Sequence, residues 1–272
     1  MIVHEFMLHI CKYGCHASDG SRAVGPFGES VSISYAAIGR PRIREARGVR
    51  RGALASDCMS NSEITPVITV NPADYDARNI YKLMTGIIVP RPVALVSTVD
   101  RNGVANVAPF SFFNGVGSVP PTVLFCTVLR RDTGMLPARK DSLSNVEETG
   151  EFVINVVSAA IADAANATAA EVPPEVDEFA LAGLTPVASE VVKPPRVGES
   201  PAQMECKLQQ VIYTGRQAGA GVIVLGEVVR FHIRRDIFDD FRVDPAGLDA
   251  VGRMAGNTWV RTHDRVELIR PK

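Results

Sequence analysis

Short apolar runs separated by turn residues dominate the chain from residue 66 onward. Residues 90–113 place a Val-rich run, the turn sequence Asp-Arg-Asn-Gly at 100–103 and a second apolar run in succession. This is the pattern of a β-hairpin, because Asn-Gly takes up positive φ readily and reverses the chain. Runs rich in β-branched and aromatic residues predict further strands at residues 122–129, 151–157, 203–216 and 221–234.

Helical signals are few and short. Residues 141–150 begin with Asp141 and Ser142, continue with acidic side chains and end at Gly150, which predicts one short helix. The Ala-rich residues 158–170 and the segment 176–184 predict two more. A parallel doubly wound sheet would require strands and helices to alternate, and here they do not. The sequence therefore predicts a mainly β fold, a β-barrel with flanking helices packed outside.

Residues 1–65 differ from the rest, because neither strand nor helix periodicity persists there. We predict a poorly ordered N-terminal extension and a folded domain at residues 66–272. Met59 is a candidate start of the native protein, and residues 1–58 would then not belong to it. Two His and two Cys between residues 9 and 16 have zinc-ligand chemistry, but their spacing matches no standard zinc motif. We predict no metal site.

Composition excludes some classes of partner. The chain is 46% hydrophobic and 22% charged with a formal net charge of −1, which is ordinary for a globular protein and favours neither nucleic acid nor an acidic membrane surface. No apolar run approaches the roughly 18 residues that span a bilayer. The five cysteines are scattered rather than arranged as a disulfide framework. A cytoplasmic location is therefore expected.

The end of the first hairpin is the first candidate for chemistry. Ser111, Phe112, Phe113 and Asn114 set hydroxyl and amide groups among large apolar rings. A core strand has no need of that mixture, whereas a site for a flat ring with polar edges would use it. We interpret this corner as a ligand site.

The start of the helix at 141–150 is the second candidate. A helix start has unpaired N–H groups and positive partial charge, so it attracts anions. Lys140 and Arg139 add full charges, and the Ser142 hydroxyl can donate to a phosphate oxygen. Asp141 opposes an anion, and we expect it to cap the helix or to pair with a neighbouring Arg. The alternative is a capped surface helix with ordinary basic neighbours.

The sequence contains no recognisable catalytic constellation. It has no nucleophile elbow, no phosphate-binding P-loop and no zinc-protease motif. Residues 252–256 surround Arg253 with glycines, which is compatible with close approach of a ligand to the backbone. A ligand corner without acid, base or nucleophile indicates that a cofactor supplies the chemistry.

Several groups of residues, taken together and in order, resemble the flavin reductase-like family of FMN-binding split barrels over residues 74–270. They are Tyr81-Lys82-Leu83-Met84-Thr85-Gly86, Val89-Pro90-Arg91-Pro92, Asn106 with Ala108-Pro109-Phe110-Ser111-Phe112-Phe113, Lys140-Asp141-Ser142 with Asn145, Thr149-Gly150-Glu151-Phe152-Val153, Glu199-Ser200-Pro201 with Glu205-Cys206, and Gly252-Arg253 with Gly256, Trp259 and Arg261. Ser142 stands where many relatives have Thr, and Trp259 stands where Tyr is expected.

The resemblance implies a six-stranded antiparallel split barrel that forms a homodimer with FMN at or near the subunit interface. Its phosphate site would comprise Lys140, Asp141 and Ser142. The isoalloxazine ring would be lined by Asn106, Ala108, Pro109, Ser111, Phe112 and Phe113. Arg91 and Arg253 would be flanking contacts.

The function that the resemblance implies is an FMN-binding oxidoreductase, an NAD(P)H:flavin reductase that moves hydride from NADH or NADPH to flavin N5. Reduced flavin would pass to a small-molecule acceptor or to a partner oxygenase. One alternative is an FMN-binding electron carrier, sensor or storage module without NAD(P)H turnover. Others are a split barrel of the pyridoxamine-phosphate oxidase kind, which needs a second phosphate site, and an interaction module that binds no flavin.

Overall fold

A computed structural model describes residues 66–130, 139–170, 172–173 and 176–271. The predicted N-terminal extension, the candidate start at Met59 and the His and Cys residues between 9 and 16 lie outside these residues. All helices and strands of the described residues lie between Pro72 and Arg261. Residues 267–271, which group separately from the preceding chain, contain neither helix nor strand.

Strands outnumber helices among the described residues, and six of the seven strands longer than three residues occur where apolar runs predict them. The helices are α1 (Ala77–Ile87), α2 (Asp141–Thr149), α3 (Ala162–Ala167), α4 (Glu178–Ala182) and α5 (Pro245–Leu248). The strands are β1 (Arg91–Pro92), β2 (Ala94–Val99), β3 (Ala105–Phe110), β4 (Phe113–Ser118), β5 (Pro121–Val128), β6 (Glu151–Val156), β7 (Pro186–Val187), β8 (Arg196–Val197), β9 (Ala202–Tyr213), β10 (Gly221–Ile233), β11 (Phe238–Asp239), β12 (Arg242–Val243), β13 (Val251–Arg253) and β14 (Trp259–Arg261). Short 3₁₀ turns occur at Pro72–Asp74, Ala159–Ile161 and Arg235–Ile237.

The principal sheet has seven antiparallel strands in the order β3-β2-β6-β9-β10-β5-β4. Its two edge strands, β3 and β4, are joined by only Ser111 and Phe112. The three residue steps from Phe110 to Phe113 span no more than about 11 Å, so the end of β3 lies close to the start of β4 and the sheet curls into a barrel. This closure confirms the predicted mainly β barrel. The implied count of six strands is not confirmed, because this sheet has seven.

The additional strand is β4, whose first two residues, Phe113 and Asn114, belong to the corner interpreted above as a ligand site. It pairs with β5 from Phe113 opposite Phe125 to Ser118 opposite Pro121, with a register shift between Gly115 and Gly117. Glycines have low β-propensity and most of the strand is exposed, so no apolar alternation marks it in the sequence.

Two apolar clusters lie on opposite faces of the sheet. Inside the barrel, Phe110, Phe125 and Phe152 pack in series, the first pair tilted and the second edge-to-face, with ring centroids 4.9 and 5.4 Å apart. The outer cluster includes Val107 from β3 and Phe179 from α4. It fixes α3 and α4 against the outside of the first hairpin, while α2 packs on β2 and β3. Three helices therefore converge on the edge strand β3.

Helix α1 stands apart from this core. Asp76 caps its start by accepting a hydrogen bond from the Asn79 N–H at 2.7 Å. Thr85 is the one buried residue of the helix, although its sequence contains Tyr81, Leu83, Met84 and Ile87. In the described ranges no helix combines the length and the apolar character needed to cross a bilayer.

Candidate functional site

Two adjoining cavities lie where the edges of the barrel meet. One, of about 60 Å³, is lined by Asn106, Ala108, Pro109, Arg130, Lys140, Asp141, Ser142, Thr168, Ala169, Ala170, Val172 and Glu178. The other, of about 150 Å³, is lined by Tyr81, Pro109, Phe110, Ser111, Phe112, Cys126, Thr127, Val128 and Lys140. They share Pro109 and Lys140, so together they form one groove with two ends. We call these the anion end and the ring end.

The anion end is built on the start of α2. Its N-cap is Lys140, and no side chain caps the helix. The first intrahelical bonds run from the N–H groups of Leu143 and Ser144 to the Lys140 carbonyl. The N–H groups of Asp141 and Ser142 precede those bonds, as expected for an anion site. The expectation that Asp141 caps the helix is therefore wrong, since Asp141 is already its first residue and lines the cavity.

A buried chain of polar side chains leads from the anion end into the protein. Asn106 Nδ2 donates to Glu178 Oε1 at 2.6 Å, and Asn106 Oδ1 accepts from Ser142 Oγ at 2.9 Å. Thr98 Oγ1 donates to the same Oδ1 at 3.4 Å and accepts from Asn145 Nδ2 at 3.0 Å. All five residues are buried, so each hydrogen bond replaces one that water would otherwise make.

Glu178 is the one carboxylic acid among these five hydrogen-bonded side chains, and it is only 7% exposed. Burial raises the pKa of Glu178, and the negative charge of Asp141 adds to that increase. Hydrogen bonds from the Glu178 and Val107 N–H groups and from Asn106 oppose it without cancelling it. The carboxyl group is therefore held closer to its neutral form than an exposed glutamate is.

At the ring end, Tyr81 and Phe112 form a tilted aromatic pair with centroids 6.4 Å apart. The Lys140 ammonium lies 5.4 Å from the centroid of Phe110. Thr127 lines this end and is 3% exposed, yet its hydroxyl has no hydrogen-bond partner among the described residues. A buried hydroxyl without a partner is costly, so this one favours a ligand with a polar edge.

Arg91 supports the ring end from behind. Its Nη1 donates to the carbonyl oxygens of Thr85 and Ile88 at 2.8 and 2.7 Å, and its Nη2 donates to that of Met254 at 2.9 Å. Its Nε donates to Ser111 Oγ at 3.4 Å. Four of the five N–H groups are thus used within the protein. The structure makes Arg91 a link between α1, the β13–β14 hairpin and Ser111, and Arg91 lines neither end of the groove. The flanking ligand contact that the resemblance implies stays a prediction.

Two further residues predicted for the site lie elsewhere. Phe113 begins β4 opposite Phe125 and packs against the barrel core, because side chains alternate sides along a strand. Arg253 lines a separate cavity of about 470 Å³, where its guanidinium lies 5.1 Å from the Trp259 ring centroid. The groove does bring together the other predicted residues, Asn106, Ala108, Pro109, Ser111, Phe112, Lys140, Asp141 and Ser142.

Among the residues that sequence reasoning missed, Glu178 and Thr127 line the groove, and Thr98 is hydrogen-bonded to Asn106 of the anion end. Glu178 was part of a predicted helix, and nothing in its neighbourhood marks it as more than a surface acid. Thr98 and Thr127 sit inside apolar runs, where a threonine is unremarkable in a strand. A polar side chain at a position that the alternation turns inward is the signal that could have identified Thr98 and Thr127.

The residues of the groove fit a phosphorylated flat ring such as FMN. The anion end offers a helix start, a hydroxyl and an ammonium group, which is the donor set for a phosphate. The ring end offers Tyr81, Phe112 and the unpartnered Thr127 hydroxyl, which match an aromatic ring with polar edges. Asp141 and Glu178 are the two groups that oppose an anion, and the raised pKa of Glu178 reduces its share of that opposition.

Residues 85–248 match a family described as flavin reductase like domain. An uncharacterized protein of Halalkalibacterium halodurans is 38% identical over 204 residues, which cover 74% of this chain and 96% of that protein. The crystal structure of nitrilotriacetate monooxygenase component B from Bacillus cereus is 37% identical, with a TM-score of 0.71 over 75% of this chain and 100% of that one. The structure of 2-nitrobenzoate 2-nitroreductase from Pseudomonas fluorescens is 29% identical, with a TM-score of 0.67 over 75% and 96% of the two chains.

Proposed function

The chain belongs to the flavin reductase like family, and from that premise we propose that it is an FMN-dependent oxidoreductase that takes electrons from NADH or NADPH. The observation that carries the proposal is the groove, whose two ends share Lys140 and Pro109. One end has the donors for a phosphate and the other has aromatic rings and a buried hydroxyl. A cofactor with a phosphate and a flat ring is the ligand that uses both ends.

The proposed roles follow from the contacts. The start of α2, with Ser142 and Lys140, would hold the phosphate. Tyr81, Phe112 and Ser111 would lie along the ring, with Ser111 held in place by Arg91. When bound, FMN supplies the capacity to accept a hydride from a nicotinamide and to pass electrons on. The protein's own contribution is to bind and orient the flavin at the junction of the barrel edges.

An anaerobic titration of the FMN-loaded protein with NADH, and separately with NADPH, tests this function. Loss of the oxidised-flavin absorption band within seconds is the expected result with at least one donor. A band that persists with both donors would reject NAD(P)H turnover and leave an FMN-binding electron carrier, sensor or store. A protein that binds no FMN would reject the flavin proposal altogether.

We propose that the reduced flavin serves either a small-molecule acceptor or an oxygenase partner. Support comes from the two solved relatives, one named as a monooxygenase component and the other as a nitroreductase. Stopped-flow reoxidation separates the two routes. Release of reduced FMN into solution would favour an oxygenase partner, whereas rapid reoxidation of bound flavin by a nitroaromatic compound would favour direct reduction.

We propose further that the protein is a homodimer in which a second copy covers α1. This helix exposes a continuous apolar set beside the ring end, with Ile87 77%, Tyr81 56% and Met84 46% exposed. Exposed apolar patches of this kind are typical of interaction surfaces. Because Tyr81 belongs both to α1 and to the groove, a partner on α1 would also close the ring end.

Ile87→Asp should convert the dimer to a monomer, because it places a charge in the proposed apolar interface. Sedimentation velocity of the FMN-loaded protein measures the state directly. Val104→Asp is the control, since Val104 is 44% exposed in the turn between β2 and β3. A wild-type protein that sediments as a stable, FMN-loaded monomer would contradict this interface.

A further inference from the structure

The two hydrogen bonds that join Glu178, Asn106 and Ser142 can both point in either of two directions. In the direction seen here Asn106 Nδ2 donates to Glu178, so its Oδ1 faces Ser142. An amide oxygen can only accept. The Ser142 hydroxyl must therefore donate its hydrogen bond to Asn106 Oδ1, so it cannot donate to a ligand in the cavity.

The second direction follows if Glu178 gains a proton. A neutral carboxyl can donate to Asn106 Oδ1 once the amide rotates by half a turn about its terminal bond, an exchange of nearly identical shape. Asn106 Nδ2 then faces Ser142 Oγ and donates to it. Ser142 keeps its acceptor contact with Asn106 and turns its own O–H toward the cavity. Thr98 Oγ1 can accept from the second amide hydrogen.

We propose that this protein binds the phosphate of its ligand together with one proton, which is taken up by Glu178. The Asn106 amide then reverses its orientation, and the Ser142 hydroxyl becomes a hydrogen-bond donor to the phosphate. The proposal rests on the proposed FMN function. It makes Glu178 a positioning residue that acts on the ligand through Asn106 and Ser142. Protonation of Glu178 also removes one of the two negative charges that oppose an anion in this cavity.

The surroundings of Glu178 support this assignment. Lys140, Arg130 and Asp141 are the charged residues that share its cavity. Helix α4 packs against β3, which has no titratable side chain, and against α3. The one titratable side chain of α3 is Asp163, which lines a different cavity. On its own helix Asp177 is exposed and accepts hydrogen bonds from the N–H groups of Phe179 and Ala180. Asp141 is thus the one other carboxylate that faces the anion end within the described residues.

The direction in which FMN binding changes with pH follows from the coupling between phosphate binding and protonation of Glu178. A bound phosphate favours neutral Glu178, so its pKa is higher in the complex than in the free protein. Between those two pKa values binding takes up a proton, and the FMN dissociation constant rises as the pH rises. The limit is about tenfold for each pH unit. The phosphate itself does not contribute above about pH 7, because its second pKa is about 6.

Calorimetric titration of FMN into the protein between about pH 7 and 9, in buffers of different ionisation enthalpy, measures the dissociation constant and the protons taken up. We expect proton uptake by the wild type. Glu178→Gln should take up none, because its amide does not titrate and can donate to Asn106 without a proton from solvent, and it should bind FMN more tightly than the wild type at the upper end of the range. Infrared difference spectra should show a protonated carboxyl band on FMN binding that Glu178→Gln lacks.

Two controls isolate this hydrogen-bonded set. Asp163→Asn removes a carboxylate outside it and should keep the wild-type proton uptake. Riboflavin, which lacks the phosphate, should bind the wild type without proton uptake. FMN binding by the wild type without proton uptake above pH 7, or with the same uptake in Glu178→Gln, would overturn this inference alone. Failure of the wild type to bind FMN at any pH would overturn the proposed function, and this inference with it.

Discussion

Arg91→Met should lower the free energy of unfolding by about 3–5 kcal/mol, because it leaves one buried and two partly buried carbonyl groups without their charged donor. The guanidinium is 4% exposed and ties Thr85, Ile88 and Met254 to one point. Burial also lowers the pKa of Arg91, but an arginine stays charged at any working pH. Methionine fills similar volume and donates nothing. Denaturant unfolding followed by circular dichroism measures the effect.

Arg261→Met is the matched control, because Arg261 is an exposed residue of β14, in the same three-stranded sheet. Its unfolding free energy should stay within about 0.5 kcal/mol of the wild type. Arg91→Lys should restore only part of the loss, since one ammonium group cannot reach the carbonyls of Thr85, Ile88 and Met254 together. A change below about 1 kcal/mol in Arg91→Met would show that the link does not stabilise the fold.

Lys140→Ala should weaken FMN binding by about 1.5–3 kcal/mol, or about 10- to 150-fold, the usual range for a charge-assisted hydrogen bond. Lys140 lines both ends of the groove, and its ammonium lies 5.4 Å from the ring centroid of Phe110 at the ring end. Riboflavin affinity should fall much less, because riboflavin has no phosphate. Quenching of flavin fluorescence on binding measures both dissociation constants.

Arg139→Ala is the control for Lys140→Ala. It removes the same charge from the adjacent residue, but Arg139 Nη1 lies 2.8 Å from Glu147 Oε2, and Arg139 lines neither end of the groove. FMN affinity should therefore change by no more than about threefold, as for a screened surface charge. Equal losses in the two variants would indicate a general charge effect. No loss in Lys140→Ala would remove Lys140 from the site.

Much of the fold could be predicted from local patterns in the sequence. The first hairpin and the long strands β9 and β10 follow from apolar runs and turn residues, which act over a few positions. The helix at Asp141–Thr149 also forms as predicted, and Gly150 ends it with a φ of 71°. Strand β4 was missed because its glycines and exposed positions produce no periodicity.

The site was only partly predictable for the same reason. Lys140 and Ser142 were found because a helix start with a basic neighbour is a local pattern. Glu178 was not, because its partner Asn106 lies 72 residues earlier and nothing near Glu178 indicates burial. The role of Arg91 as a link within the protein was not predicted, because its bond to the Met254 carbonyl spans 163 residues of sequence.

By itself the sequence determined six of the seven strands of the principal sheet, where α2 begins and which residue types can hold a phosphate, since these depend on neighbouring residues. The tertiary structure decided that β3 and β4 meet, because closure of a sheet depends on the pairing of all seven strands. That meeting joins the ring end to the anion end. Tertiary packing also placed Phe113 against the core, bonded Arg91 to Ser111 and, with α4 packed on β3, brought Glu178 to Asn106. No local pattern specifies these contacts.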